Sequence, residues 1–270
     1  CVSFVRVRTV WENLRLNYSV YSEEGLRKEE LNDDFQMLFV TMVLKHVRYV
    51  IYCLSRNEQP QPLRLLLLGT AGSGKTRAVR TVLQEIQRIL RATDLANYVK
   101  SSAFVRVAAP TGSAAFNLRF NATTVHRLIH WFKPPFFNPL KGEALHRLQL
   151  HLQDTLFVCI DEISMVGRQM MGRIHSRLDQ ARVDRNTEGY SLGGVSCIGI
   201  GDPAQCEAIH DQQLFDNSPH KKSVEESDRQ HVLLSNQGLS VYSEFTDVIV
   251  LNKTHRWVKI DDPQTDADRT

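Results

Sequence analysis

Five short apolar runs leave this chain few architectures: LRLLLL (63–68), AFVRVAA (103–109), TLFVCI (155–160), VSCIGI (195–200) and DVIVL (247–251). They are nearly free of charge, most end in Gly, Pro or Asp, and helical stretches separate them. Unbroken apolar runs of this length mark strands covered on both faces, and strands alternating with helices imply a parallel sheet with crossover connections. The expected fold is therefore α/β, three-layered, with a mainly parallel sheet. Ligands of such sheets gather beyond the carboxyl ends of the strands, which is where the glycines and acids of this chain fall. Upstream, Phe35, Leu38, Phe39, Met42, Val43, Val47, Val50, Ile51 and Leu54 recur at helical spacing, so a long amphipathic helix is predicted over 33–54, stopped by NEQPQP.

The first run leads into GTAGSGKT, residues 69–76, which fits the P-loop pattern G-x-x-x-x-G-K-[ST] in its required place between a strand and a helix. Gly69, Thr70, Ala71, Gly72, Ser73 and Gly74 allow successive backbone N–H groups to face one phosphate, and the helix that begins near Lys75 adds its dipole. Lys75 is placed to reach the β- and γ-phosphates, and the Thr76 hydroxyl to coordinate Mg²⁺. Asp161 directly follows the third run and Glu162 follows Asp161. An acid at that strand end holds Mg²⁺ in P-loop enzymes, and a second beside it polarises an attacking water; two solvated carboxylates are the plainer alternative. At the next strand end, in CIGIGDPAQ, Gln205 has the chemistry to bond both a γ-phosphate and the lytic water, with Asp202 in support. A simple Gly-Asp-Pro turn is the competing reading.

Composition narrows the class further. The 270 residues carry a net charge of +3, which permits nucleic acid as a partner without demanding it. Five cysteines show no metal-ligand spacing, and reduced core thiols of an intracellular protein are expected. His126, His130, His146 and His151 join no ligand set and read as ordinary polar or capping residues. No stretch is expected to approach the apolar length of a membrane span, and CVSFVRVRTVW lacks the build of a signal peptide. NKTH at 252–255 has His255 where a guanine-reading N-K-x-D has its Asp, which argues against GTP. The first residue is not Met, so a piece of a longer or processed protein is expected.

With GTAGSGKT, APTGSAAFN, TTVH, IDEISMVG, GGVSCIGIGDPAQ and VIVLNKTHRW in this order, the chain resembles the petite integration frequency (Pif) family of superfamily 1 DNA helicases, nearest the divergent forms carried by Helitron-type transposons. The resemblance runs from about Leu31 to Trp257. It implies a first RecA-like P-loop motor domain over 31–257, with 1–30 as a linker or arm and 258–270 as a polar tail. It also implies ATP and Mg²⁺ as cofactors, 5′-to-3′ movement, and single-stranded and forked DNA as partners. Residue by residue, it makes Lys75, Glu162, Gln205 and Arg256 catalytic, with Glu162 the general base, Gln205 the γ-phosphate sensor and Arg256 an arginine finger. Thr76 and Asp161 would hold the metal. Pro110, Thr111, Gly112, Thr124 and His126 would line the DNA path. Nuclear or mitochondrial work in DNA repair, recombination and telomere maintenance is what the family suggests.

The departures matter. Where the family carries an adenine-reading Gln after an L-N pair, LNDDFQ has Phe35, and Gln36 stands one place later as the candidate base contact. CEAI follows GDPAQ where the family continues Leu-Pro-Pro-Val, and Trp257 replaces a usual Gln. Trp131, Phe132, Phe136 and Phe137 around KPP fit base stacking or a satellite core. No motif of a second RecA-like domain occurs, so a motor-domain fragment that is weakly active alone is expected. The competing reading is a catalytically silent nucleotide- or DNA-binding remnant; a small-molecule kinase is disfavoured by Glu162 and Gln205.

Overall fold

The computed structural model describes residues 31, 34–56, 58–91, 104–132, 137–182, 189–218 and 226–253. The expected arm and tail, Phe136 and Arg256 lie outside the described residues. In chain order the elements are α1 (Asp34–Ser55), β1 (Arg64–Gly69), α2 (Lys75–Arg91), β2 (Val105–Ala109), α3 (Gly112–Leu118), β3 (Thr123–Thr124), α4 (Val125–Leu128), α5 (Gly142–Leu152), β4 (Phe157–Ile160), α6 (Arg168–Ala181), β5 (Ser196–Gly201), α7 (Glu226–Ser243) and β6 (Asp247–Leu251). All five apolar runs are strands. The sixth, β3, has only two residues and is too short to leave a pattern in the sequence.

The strands lie in the order β3-β2-β4-β5-β1-β6, and every pairing is parallel. Alternate side chains of one strand serve opposite faces. Leu65, Leu67, Val107, Phe157, Cys159, Ile198 and Ile200 pack with α1 and α2 on one side. Leu66, Ala108, Val158, Ile160 and Cys197 pack with α4, α5, α6 and α7 on the other. The result is the expected three layers, a RecA-like P-loop fold. Each fully buried Leu, Ile or Val contributes roughly 1.5–3 kcal/mol of apolar transfer, so both layers are needed to hold the central strands. Only the edge strand β6 alternates, with Val248 and Val250 exposed.

One expectation is corrected. At 22 residues, α1 is long and apolar enough to cross a membrane by length and composition. Its buried face, which includes Phe39, Val40, Val43, Val47 and Val50, is instead part of the core beside α2.

Candidate nucleotide and nucleic-acid site

β1 ends in the P-loop, and its glycines explain the turn. Gly72 and Gly74 hold φ of 82° and 87°, which L side chains adopt only at a cost. Ser73 N–H donates to the Thr70 carbonyl at 3.2 Å, and Ala78 N–H to Gly74 O at 3.0 Å as α2 begins. The Lys75 ammonium donates to Gly69 O at 2.6 Å and Thr70 O at 3.0 Å, which lays the side chain back over the loop. Burial lowers its pKa, while Asp202, Glu162 and Asp161 raise it, so three acids from two other strand ends act on this one cation. Thr76 stands exposed in the first turn of α2.

Sheet order makes that convergence possible. β5 separates β1 from β4, so the P-loop, Asp202–Gln205 and Asp161–Glu162 end on neighbouring strands. Burial pushes the Asp161 carboxyl up to about 6, against the backbone N–H of Glu162 and the charge of Lys75, which lower it; the Glu162 carboxylate raises it to a smaller extent. Glu162 itself is held at φ 50°, an uncommon conformation for a residue with a side chain and one that clusters at functional sites. Asp202 is buried; its Oδ1 accepts from Ala204 N–H at 3.0 Å and its carbonyl from Gln205 N–H at 3.1 Å. This leaves the Gln205 side chain exposed at the turn.

The other candidates fall on the far side of β4. β2 and β3 pair with Ala109 opposite Thr124, so Pro110–Gly112 and Thr124–His126 leave the sheet side by side. Both threonines cap helices: Thr111 Oγ1 accepts from Ala114 N–H at 3.2 Å, and Thr124 Oγ1 from Arg127 N–H at 3.3 Å. His126 stacks on Trp131, with ring centroids 5.0 Å apart and planes 9° apart. Trp131 and Phe137 belong to the core, whereas Phe132 is 67% exposed. A stack of bases on Trp131 is thereby excluded, and Phe132 keeps that option.

Gln36 departs from its expected occupation. It is 1% exposed, and its Nε2 donates to the carbonyl of Ser73, so it meets the P-loop backbone rather than an open base pocket. Two further groups carried no signal in the sequence. Asp211 accepts from Gln169 N–H at 3.1 Å and Met170 N–H at 3.0 Å, capping α6 from a distant loop. Arg168, 1% exposed, donates to the carbonyls of Ser218 at 2.9 Å and Ser235 at 3.3 Å, pinning that loop to α7. Gln213 completes the tie: its amide nitrogen donates to Ser164 O at 3.1 Å and its oxygen accepts from Ala208 N–H at 2.8 Å. The loop after Gln205 is thus fastened to the turn after Glu162. His130 and His151, which joined no ligand set in the sequence, meet with Nε2 and Nδ1 3.2 Å apart.

The family model of the AAA domain matches residues 61–232, from just before β1 into α7. This chain belongs to the AAA domain family. As an AAA domain it is similar in fold to the Pif1 helicase from Candida albicans, at 17% identity and a TM-score of 0.50, over 83% of this chain and 40% of that one. Bacteroides Pif1 bound to ssDNA is 19% identical with a TM-score of 0.48 over 83% and 42% of the two chains. Bacteroides sp Pif1 in complex with ADP-AlF4 is 19% identical with a TM-score of 0.45 over 84% and 43%. The chain spans less than half the length of these solved helicases. No curated protein matches it.

Proposed function

We propose that this AAA domain is the first motor domain of a Pif-type superfamily 1 helicase. It would bind ATP at the P-loop and couple hydrolysis to 5′-to-3′ movement on single-stranded DNA. One observation carries the reading: Asp161, Glu162 and Asp202 all act on Lys75 beyond three neighbouring strands, with Thr111 and Thr124 beyond the adjoining two. A nucleotide and a polynucleotide backbone can therefore lie side by side on one edge of the sheet.

The roles follow from chemistry. The P-loop N–H groups and Lys75 bind the phosphates; a γ-phosphate competes with Gly69 O and Thr70 O for the ammonium and draws it into the site. The donors suit Mg²⁺: hard oxygens from Thr76 and from Asp161, whose carboxyl is pushed up to about 6 by burial and gains from a cation nearby. Mg²⁺ supplies charge neutralisation on the phosphates. Glu162 takes the proton of the attacking water, and Gln205 orients that water against the terminal phosphate. Arg256 is proposed as the arginine finger. Strand separation is proposed for the helicase as a whole, and slow DNA-sensitive ATP turnover for these 270 residues.

Titration with a fluorescent ATP analogue tests the first step. Lys75→Ala is expected to weaken binding about tenfold or more, since it removes a charge-assisted contact. Asp161→Asn is expected to abolish the Mg²⁺ dependence. Unchanged affinity in Lys75→Ala would overturn the assignment, and a silent remnant would bind nucleotide with no effect on its DNA affinity.

A further inference from the structure

A cavity of about 370 Å³ opens on the flank of the sheet, where β2 runs past the two-residue β3. Arg106, Arg127, His130, His151, Phe120 and Phe132 are among the residues that line it, and no acid is. It shares no residue with the P-loop or with Asp161 and Glu162.

Its lining has two chemical halves. Arg106 donates through Nη2 to the backbone oxygen of His151, while its Nε is buried with no hydrogen-bond partner. That nitrogen is closed off from solvent, so it is the charge of Arg106, with no acid among the lining residues, that suits the cavity to an anion. Asp154 is the carboxylate that acts on Arg106 electrostatically, but it is not part of the lining. Arg127 adds a second, exposed guanidinium. The other half is aromatic. Phe132 is 67% exposed and its ring lies 5.7 Å from that of His130, tilted by 35°. His130 is in turn held by His151 at 3.2 Å. Phe120 and His130 sit at φ 54° and 50°, so the wall is built on backbone that only its surroundings sustain.

A bare anion would leave the aromatic wall without a role, and an apolar ring would make no use of the two guanidinium charges of the lining. The volume falls in the range of small-ligand sites. We propose that this cavity binds a nucleoside phosphate unit, its base against Phe132 and its phosphate on Arg106 and Arg127. The ligand class follows from the lining alone; that the unit belongs to a DNA strand rests on the function proposed above. α4 links the two, because Arg127 lines the cavity and directly follows His126 of the proposed DNA path in the chain.

The test uses Arg127→Glu and Phe132→Ala, both at exposed positions the fold tolerates. Two probes are compared, thymidine 5′-monophosphate and a thymidine oligonucleotide carrying photoreactive 5-iododeoxyuridine. The expected results are crosslinks on the peptide holding His130 and Phe132, and oligonucleotide binding weakened about fivefold or more in each variant. Affinity for the fluorescent ATP analogue should not change. Binding of the monophosphate by itself, lost in both variants, makes a free nucleotide the source; response of the oligonucleotide only makes it the strand. Monophosphate binding with no oligonucleotide binding keeps the cavity and removes the DNA path. Oligonucleotide binding that both variants leave intact, with crosslinks elsewhere, overturns the cavity and spares the DNA path. Failure of both probes to bind overturns it too.

Discussion

The Gln36 amide nitrogen lies 3.0 Å from the Ser73 carbonyl oxygen and donates to it, joining the first turn of α1 to the middle of the P-loop. Both residues are almost fully buried. The bond holds one loop carbonyl away from the side where the N–H groups must face a phosphate. Gln36→Leu keeps the volume and removes the donor, which is expected to cost about 1–3 kcal/mol in urea unfolding. ATP and GTP affinities should fall together. If only the preference between the two bases changes, Gln36 reads the base and does not brace the loop.

Asp211 connects the loop that follows Gln205 to the helix that follows Glu162. Its carboxylate satisfies two N–H groups at the start of α6, where the residue at the cap is Gly167 and offers no side chain. A Cβ at that glycine would collide with Asp211. Asp211→Ala is expected to lower stability by about 1–2 kcal/mol, the usual value of a lost cap. It should also reduce the proposed ATP turnover while leaving affinity for the ATP analogue near wild type, because the loop it anchors carries Gln205. A fall in nucleotide affinity equal to the fall in turnover would place its effect on the P-loop instead.

Much of this was legible in the sequence because the signals are local. Buried parallel strands need unbroken apolar runs, and a phosphate loop needs its glycines and lysine in a fixed frame, so β1, β4, β5 and the P-loop can be read from single segments. The helix over 33–54 was legible for the same reason, displaced by one residue. What stayed hidden depends on distance through the fold. Asp211 caps a helix 42 residues earlier in the chain, and Gln36 meets a carbonyl 37 residues away. His130 and His151 pair only because α4 and α5 pack on the same face of the sheet. Trp131 and Phe132 are adjacent in sequence yet one is core and the other is exposed, a division that composition cannot make.

The crossing of α6 and α7 leaves no room for side chains at its centre. A Cβ on Gly238 would meet the Arg168 carbonyl oxygen, and one on Gly172 the Leu234 carbonyl oxygen, in each case at less than any real contact distance. Backbone cannot give way as a flexible side chain can. Gly238→Ala is expected to destabilise the domain by about 1–3 kcal/mol through overpacking, despite the better helix propensity of alanine. Thermal unfolding should therefore show a lower Tm, with the larger effect at Gly238. A raised Tm would mean the helices can separate without loss.

His46 sits 6% exposed beneath the sheet, with Nε2 3.1 Å from Ser196 Oγ. Burial, assisted by the Arg64 guanidinium, pushes its pKa down to about 4 from 6.5. Between those values the unfolded chain takes up a proton at this imidazole and the folded one does not. The neutral histidine therefore supports the fold fully above pH 6.5, and that support is lost as pH falls towards 4, a change of roughly 3 kcal/mol at most. Asp161 works in the opposite sense, since its raised pKa favours the fold at low pH and that contribution fades as pH rises towards 6. Comparison with His46→Gln, which keeps a partner for Ser196 and cannot titrate, removes the Asp161 contribution. The stability difference between wild type and variant should be flat above pH 7 and shift against the wild type from pH 6.5 to 4. A difference independent of pH would show that the imidazole does not stay neutral in the folded protein.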